Sequence, residues 1–423
     1  MGGPLSLLLL LILSTRAAPV EDFERGRRWL TGGPIQVSQE TGPGGSRALH
    51  LVAGREGAVA FPQGMVAADW SQVGALSLRV HRDARPSDPP TVVELRLPTR
   101  SGGRFWRKIE LTHQGAAELV LPLAWFRWGG RGRVPRWTDV DGLALYFRSP
   151  GAVWVDDLAL VPGDPLPGVD DVLGLGVLDA PRSLEGRSGL IVTDAPDLDL
   201  EVLDAHLARV RDQVLADLPF LAPLCGPPML VVTQTRAGQH ALVNAITGAA
   251  AATEVDRVPA GFTLLGIAIS SWEAELGSLR PVYAHEYVHS LLHRSCALLD
   301  GDNDWVQEGL ATRYQLRVHP EAAPPADQTG WMDVDGLQTI LDGGGVENRN
   351  GGYMRAWSVV GLLLEHPRYA PRSQALLQAF AESGSNALEP QLGPVLGVDR
   401  ETFLADWQAW TQSQAAPTSG AAD

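Results

Sequence analysis

The sequence predicts a multidomain chain, an all-β sandwich followed by an α+β domain that is mainly helical in its C-terminal part. Three observations carry this. Residues 19–162 hold short β-branched or alternating runs separated by Gly, Pro and Asp turns, without helical periodicity, which is the pattern of a sandwich. Residues 163–186 are dense in Pro and Gly, the composition of a linker. From residue 187 to 412, apolar residues recur at helical spacing around a few β-rich runs.

Taken in order, the chain opens with an apolar core, Leu5 to Leu13, too short to span a bilayer. The small residues Thr15, Ala17 and Ala18 follow it and suit signal-peptidase cleavage, so residues 1–18 are expected to be a cleaved export signal. Export places the mature protein in a secreted, periplasmic or cell-surface space. No later stretch has the length and apolarity of a transmembrane helix. The 49 acidic against 34 basic side chains give a formal net charge of −15, which disfavours nucleic acid as a partner. Cys225 and Cys296 are the 2 cysteines, and one disulfide or two buried thiols stand as equal readings.

Candidate strands of the first domain are Ala48–Leu51, Val59–Phe61, Ala75–Val80, Thr91–Leu97, Arg104–Glu110, Ala117–Leu121, Gly142–Phe147 and Ala152–Leu160. Trp is concentrated here, including Trp125, Trp128 and Trp137. Aromatic faces with a polar edge suit a sugar-binding surface, and core packing is the competing reading. Asp156 and Asp157 are candidates for a structural Ca²⁺ site, against simple turn capping. Four features in order, Asp22-Phe-Glu-Arg-Gly26, Phe105-Trp-Arg-Lys-Ile109, Val120-Leu-Pro-Leu123 and Val153-Trp-Val-Asp-Asp-Leu-Ala-Leu160, resemble galactose-binding-like jelly rolls. That resemblance implies a carbohydrate- or surface-binding module.

The second domain begins with a strand at Gly189–Thr193, a helix over about 198–218 behind an Asp-rich start, a strand at Met229–Thr233 and an Ala-rich helix over 241–253. Gly261 to Ser270 reads as one or two strands. Next comes Val282-Tyr-Ala-His285-Glu286-Tyr-Val-His289-Ser-Leu-Leu, an amphipathic helix with Pro281 in its first turn. At 100° per residue, His285 and His289 lie one turn apart on one face and Glu286 sits beside them. Two imidazoles so placed can bind Zn²⁺, and an unligated carboxylate can act as general base. A second motif, Asp304-Trp-Val-Gln-Glu308-Gly-Leu-Ala311, supplies a carboxylate as third ligand, with eighteen residues between it and His289. Downstream are a helix to Leu316, a Gly-rich loop over 342–352, a helix Tyr353–Leu364, and a last helix capped by Asp399. Residues 413–423 are small and polar and are expected to be disordered.

The paired motifs resemble the gluzincin metallopeptidases, with Trp305, Glu308, Gly309 and Ala311 matching their Trp-x-x-Glu-Gly-x-Ala residue by residue. The entry strands and closing helix are similar to peptidase-MA-like domains of exported bacterial proteins. The resemblance implies Zn²⁺ on His285, His289 and Glu308, with Glu286 as general base. A Tyr at the head of a downstream helix would serve the oxyanion; Tyr353 matches best and Tyr314 competes. The strand in the position that borders the cleft in zincins, Gly266–Ser270, is a candidate for pairing with extended substrate, an ordinary core strand being the competing reading. Leu292 and Ser295 exclude the metzincin pattern, and His293 is not counted as a ligand. The chain departs from the thermolysin-like branch at Thr312, where that branch has an Asp that orients a zinc His, and it lacks the Gly-Ala-Met-Glu-Asn signature of aminopeptidases. The implied function is a secreted zinc endopeptidase acting on a protein or peptide substrate, glycosylated if the first domain binds sugar. The alternative is an exported carbohydrate- or surface-binding protein whose zincin domain is inactive.

Overall fold

The computed structural model describes residues 18–21, 30–61, 69–83, 85, 88–130, 136–247, 259–295, 297–298, 304–323, 330–347 and 351–415. Residues 1–17 of the expected export signal, residues 22–26, Cys296 and the residues beyond 415 lie outside them. The chain divides into two compact units, in the main between Leu175 and Gly176.

The first unit is a β-sandwich. Its strands are β1 (Ala18–Glu21), β2 (Leu30–Gly32), β3 (Ile35–Thr41), β4 (Arg47–Ala53), β5 (Gly57–Ala60), β6 (Val73–Arg82), β7 (Thr91–Pro98), β8 (Arg104–Leu111), β9 (Gly115–Pro122), β10 (Arg127–Gly129), β11 (Ala144–Phe147) and β12 (Gly151–Pro162). They form two six-stranded sheets, β3-β4-β12-β6-β9 with β1 also on β12, and β10-β8-β7-β11-β5-β2, antiparallel throughout. Period-2 alternation fixes the core: Leu49, Leu51, Leu76, Leu78, Val153 and Val155 are buried from one sheet, and Val93, Leu95, Leu145 and Phe147 from the other.

Trp125 is a core residue at 3% exposure, which removes it from any binding surface. Trp137 stacks on buried Phe105 with ring centroids 4.1 Å apart, and Trp128 packs against the same ring at 5.5 Å. Asp156 accepts hydrogen bonds from Ser46 Oγ at 2.5 Å and from the Asp157 amide at 2.9 Å, while Asp157 pairs with Arg79 at 2.9 Å. These two carboxylates serve a turn and an ion pair, and among the described residues neither belongs to a group of three or more possible metal donors.

The stretch read as a linker carries structure. The Gly168 amide donates to Asp171 at 2.9 Å and starts helix α1 (Val169–Gly174), and strand β13 (Arg182–Glu185) pairs antiparallel with β14 (Leu190–Thr193). Its Pro and Gly residues lie between these elements, so composition alone hid them.

The second unit is α+β. Its sheet runs β13-β14-β15-β17-β16, with β15 (Met229–Thr233), β16 (Gly261–Leu264) and β17 (Ile267–Ser271). β14, β15 and β17 are parallel and fully buried, whereas β16 is antiparallel to β17 and forms the edge. The helices are α2 (Leu200–Asp217), α3 (Arg236–Thr247), α4 (Pro281–Ser295), α5 (Trp305–Val318), α6 (Val334–Leu341), α7 (Gly352–Glu365), α8 (Ser373–Ser383) and α9 (Arg400–Ala415). Asp199, Asp304 and Asp399 cap α2, α5 and α9, each accepting a main-chain N–H of the first turn. One continuous core joins Leu203, Leu207 and Val210 of α2, Tyr283, Tyr287 and Leu291 of α4, Leu310 of α5, Val359 of α7 and Phe403 of α9.

α4 is tied to the sheet through Ser290. Its hydroxyl accepts from the Met229 amide at 2.9 Å and donates to the Gly266 carbonyl at 2.7 Å. The β16–β17 turn places Leu265 and Gly266 at φ 55° and 72°, and a Cβ on Gly266 would meet the His293 ring at 2.3 Å. His293 therefore packs on this turn. The expectation that Gly266–Ser270 borders a cleft is corrected here: β17 is hydrogen-bonded on both sides, to β15 and β16, so its backbone has no groups left for substrate.

α2 and the end of α5 meet through two buried imidazoles, His206 and His319, at 3% and 5% exposure. Arg209 donates to His206 Nδ1 at 3.1 Å, so His206 carries its proton on Nε2 and donates to His319 Nε2 at 3.0 Å. His319 in turn donates from Nδ1 to Glu321 at 2.8 Å. Burial first, then the charges of His319 and Arg209, hold His206 down at about 4. The unfolded chain binds a proton near pH 6.5 that the folded chain refuses until about 4, so this contribution is complete above pH 6.5 and is lost as pH falls. Urea unfolding at pH 7 and pH 4.5 should show the His206→Gln variant losing about 2 kcal/mol less than the parent over that interval. Equal losses in the two proteins would contradict this account.

Candidate metal centre

Helix α4 presents His285 and His289 on one face because they are four residues apart, and α5, packed across it, presents Glu308 from its first turn. Among the described residues these three form the one group whose His, Cys, Asp or Glu donor atoms could hold a metal, all lying within 4.8 Å of one another. Glu308 Oε2 is 3.2 Å from His285 Nε2 and 3.5 Å from His289 Nε2, and the two Nε2 atoms are 3.3 Å apart. Ligands about 2.0–2.1 Å from a tetrahedral Zn²⁺ are about 3.3–3.4 Å from each other. The donor triangle therefore fits that ion in both size and ligand type.

Electrostatics hold the triangle together. Burial pushes the Glu308 carboxyl up, but hydrogen bonds and charge from His285 and His289 outweigh it and keep the group at about 2. Burial pushes His289 down, and Glu308 followed by Glu286 reverse this and raise it to about 9. Glu286 is 6% exposed, and its burial raises the carboxyl more than the two imidazoles lower it. A carboxylate poised upward in this way is suited to taking and returning a proton.

Edge strand β16 holds Glu286 from the other side. Thr263 Oγ1 lies 3.0 Å from Glu286 Oε2 and 3.1 Å from the Glu286 carbonyl. Gly261 lets the strand come this close, since a Cβ there would sit 2.6 Å from Val282 Cγ2 and 2.7 Å from Glu286 Cγ. Tyr353, near the start of α7, stacks parallel to His285 at 5.7 Å and hydrogen-bonds Glu308. Tyr314 points elsewhere: it is fully buried and donates to Asp217 at 3.1 Å.

The imidazoles are oriented by two residues whose role the sequence reading missed. His285 Nδ1 is 2.9 Å from Gln315 Oε1, and a side-chain hydrogen bond joins His289 and Gln307. Their only sequence signal is position on α5: Gln307 directly precedes Glu308, and Gln315 follows it by seven residues on the same face. Thr312 orients neither ring, its buried Oγ1 having no hydrogen-bond partner among the described residues.

Gly309 explains the small residue after the ligand. A Cβ there would lie 2.6 Å from the Ala356 carbonyl oxygen and 2.6 Å from Val360 Cγ2, so glycine allows α7 to approach α5 and deliver Tyr353. Ala311, also in the motif, is fully buried.

No family model matches this chain, and no curated protein sequence does. Among solved structures it is similar to the family 11 carbohydrate-binding module of the cellulosomal cellulase Lic26A-Cel5E of Clostridium thermocellum, at 16% identity and TM-score 0.28 over 36% of this chain and 98% of that one. It is similar to the CBM22-1 xylan-binding domain of Paenibacillus barcinonensis Xyn10C at 16% identity and TM-score 0.26, over 34% and 95% of the two chains. An exo-beta-agarase shows 16% identity and TM-score 0.28 over 48% of this chain and 31% of its own.

The Gly309 contact yields a direct test. Gly309→Ala should destabilise the protein by about 1–3 kcal/mol through overpacking, seen as a lower midpoint in thermal or urea unfolding. An unchanged midpoint would show that α7 does not press on α5 as described.

Proposed function

We propose that the second unit is a zinc-dependent peptidase that cleaves within a chain. The observation that carries the reading is the donor triangle of His285, His289 and Glu308, sized for one tetrahedral Zn²⁺, with a buried carboxylate beside it. Zn²⁺ held by His285, His289 and Glu308 would supply Lewis acidity toward a water and a peptide carbonyl. Glu286 takes the proton of the attacking water and passes it to the leaving nitrogen, a task for which its raised affinity for a proton fits it. The Tyr353 hydroxyl, beside Glu308, donates to the developing oxyanion. The outer edge of β16, unpaired among the described residues, pairs with an extended peptide, which lays the substrate next to Glu286 through Thr263.

Glu286→Gln keeps the shape of the side chain and removes its basicity. The variant should bind zinc as the parent does while cleaving a peptide library at least about 100-fold more slowly, the lower end of the range for a lost general base. Cleavage at the parental rate would rule out Glu286 as the base.

A second reading concerns the first unit and rests on one face of its β10-β8-β7-β11 sheet. Trp106, Arg96 and Ala144 are cross-strand neighbours there, as are Lys108, Glu94 and Tyr146. The Arg96 guanidinium lies 3.5 Å from the Tyr146 ring centroid, Arg127 lies 5.5 Å from that of Trp106, and Glu94 accepts from both Arg96 and Arg148. Aromatic rings among fixed donors and acceptors are what a saccharide-binding face requires. The full chain should bind a soluble β-glucan or xylan in affinity electrophoresis, with Trp106→Ala and Tyr146→Ala abolishing the retardation. Equal mobility with and without every polysaccharide tested would remove this reading.

A further inference from the structure

We propose that Gln315 and Gln307 are the positioning residues of the metal centre, fixing both histidine ligands with neutral amides; the inference rests on the zinc reading above. An imidazole can offer Nε2 to a metal only if its proton sits on Nδ1, and a hydrogen-bond acceptor at Nδ1 enforces this. Gln315 Oε1, at 2.9 Å from His285 Nδ1, is such an acceptor. A side-chain hydrogen bond joins Gln307, 8% exposed, to His289. Helix α5 thus supplies three things from one surface: the third ligand, Glu308, and an orienter for each of the other two.

The choice of amide over carboxylate has a chemical consequence. A carboxylate at Nδ1 draws the proton toward itself and makes the imidazole a stronger, more negative donor. An amide fixes the same tautomer without adding charge. Two imidazoles and one carboxylate around a dication then leave one positive charge uncompensated, which favours ionisation of a water held at the centre. Thr312, one turn beyond Glu308, orients neither ring: its buried hydroxyl has no hydrogen-bond partner among the described residues. The site is built for neutral orientation from a different turn of the same helix.

The test uses the full chain loaded with zinc and measures affinity by chelator competition, together with the visible spectrum of the cobalt-substituted protein. Gln315→Leu should weaken zinc binding about 10- to 100-fold and alter the cobalt spectrum, and Gln307→Leu should do the same through His289. Gln315→Glu should restore affinity to the parental level or above it. It should also move the acidic limb of the pH–activity profile to higher pH, a shift that a merely structural side chain would not produce. Parental affinity in both Leu variants would overturn the proposal while leaving the zinc reading intact. Weakened affinity in Gln315→Glu equal to that in Gln315→Leu would also overturn it, since the role would then be packing. A parent chain that takes up no zinc would overturn the underlying reading itself.

Discussion

Everything in the second unit is arranged around an ionised carboxylate placed where water hardly reaches it. Glu308 is 7% exposed. An unpaired carboxylate in such a place would cost several kcal/mol. Two imidazoles within 3.5 Å and a position in the first turn of α5, where the helix dipole favours negative charge, offset that cost. These requirements fix α4 against α5, and Gly309 then fixes α7 against α5. The packing that makes the core is therefore the packing that makes the site. A binding cation would be the fourth partner of an arrangement already shaped by charge.

The same economy appears on the second side of α4. Glu286 is held by Thr263 of the edge strand, and the strand is held to the helix by the small residue Gly261. Ser290, one turn further along, anchors the helix to β15 and to the β16–β17 turn. Glu286, helix α4 and the edge strand are thus tied together by direct contacts. Preorganisation of this sort is what lets a carboxylate act without first being reoriented.

The donor triangle was legible in the sequence because its geometry is local. His285 and His289 are one helical turn apart, and Glu308 follows the N-cap Asp304 in a helix whose start is marked by its own residues. The cap Asp399 and the Asp-rich start of α2 were legible for the same reason. What escaped was non-local. Whether β17 or β16 lies at the edge depends on pairing with β15, which no local pattern in residues 261–271 encodes. Gln315 and Gln307 are ordinary helix residues whose meaning comes only from the ring each one meets across the α4–α5 interface. In the first unit the strands were readable from alternation, but the fates of Trp125, Asp156 and Asp157 were set by neighbours far away in sequence, such as Ser46 and Arg79.

The account stands or falls on metal. Elemental analysis of the purified chain after zinc loading and exhaustive dialysis, run beside the His289→Ala variant, addresses it without reference to any substrate. The account predicts about one zinc per chain in the parent, as expected of a three-ligand catalytic site, and essentially none in the variant. A parent that emerges free of zinc, or a variant that retains it at the same stoichiometry, would contradict the assignment of His285, His289 and Glu308 as a metal centre.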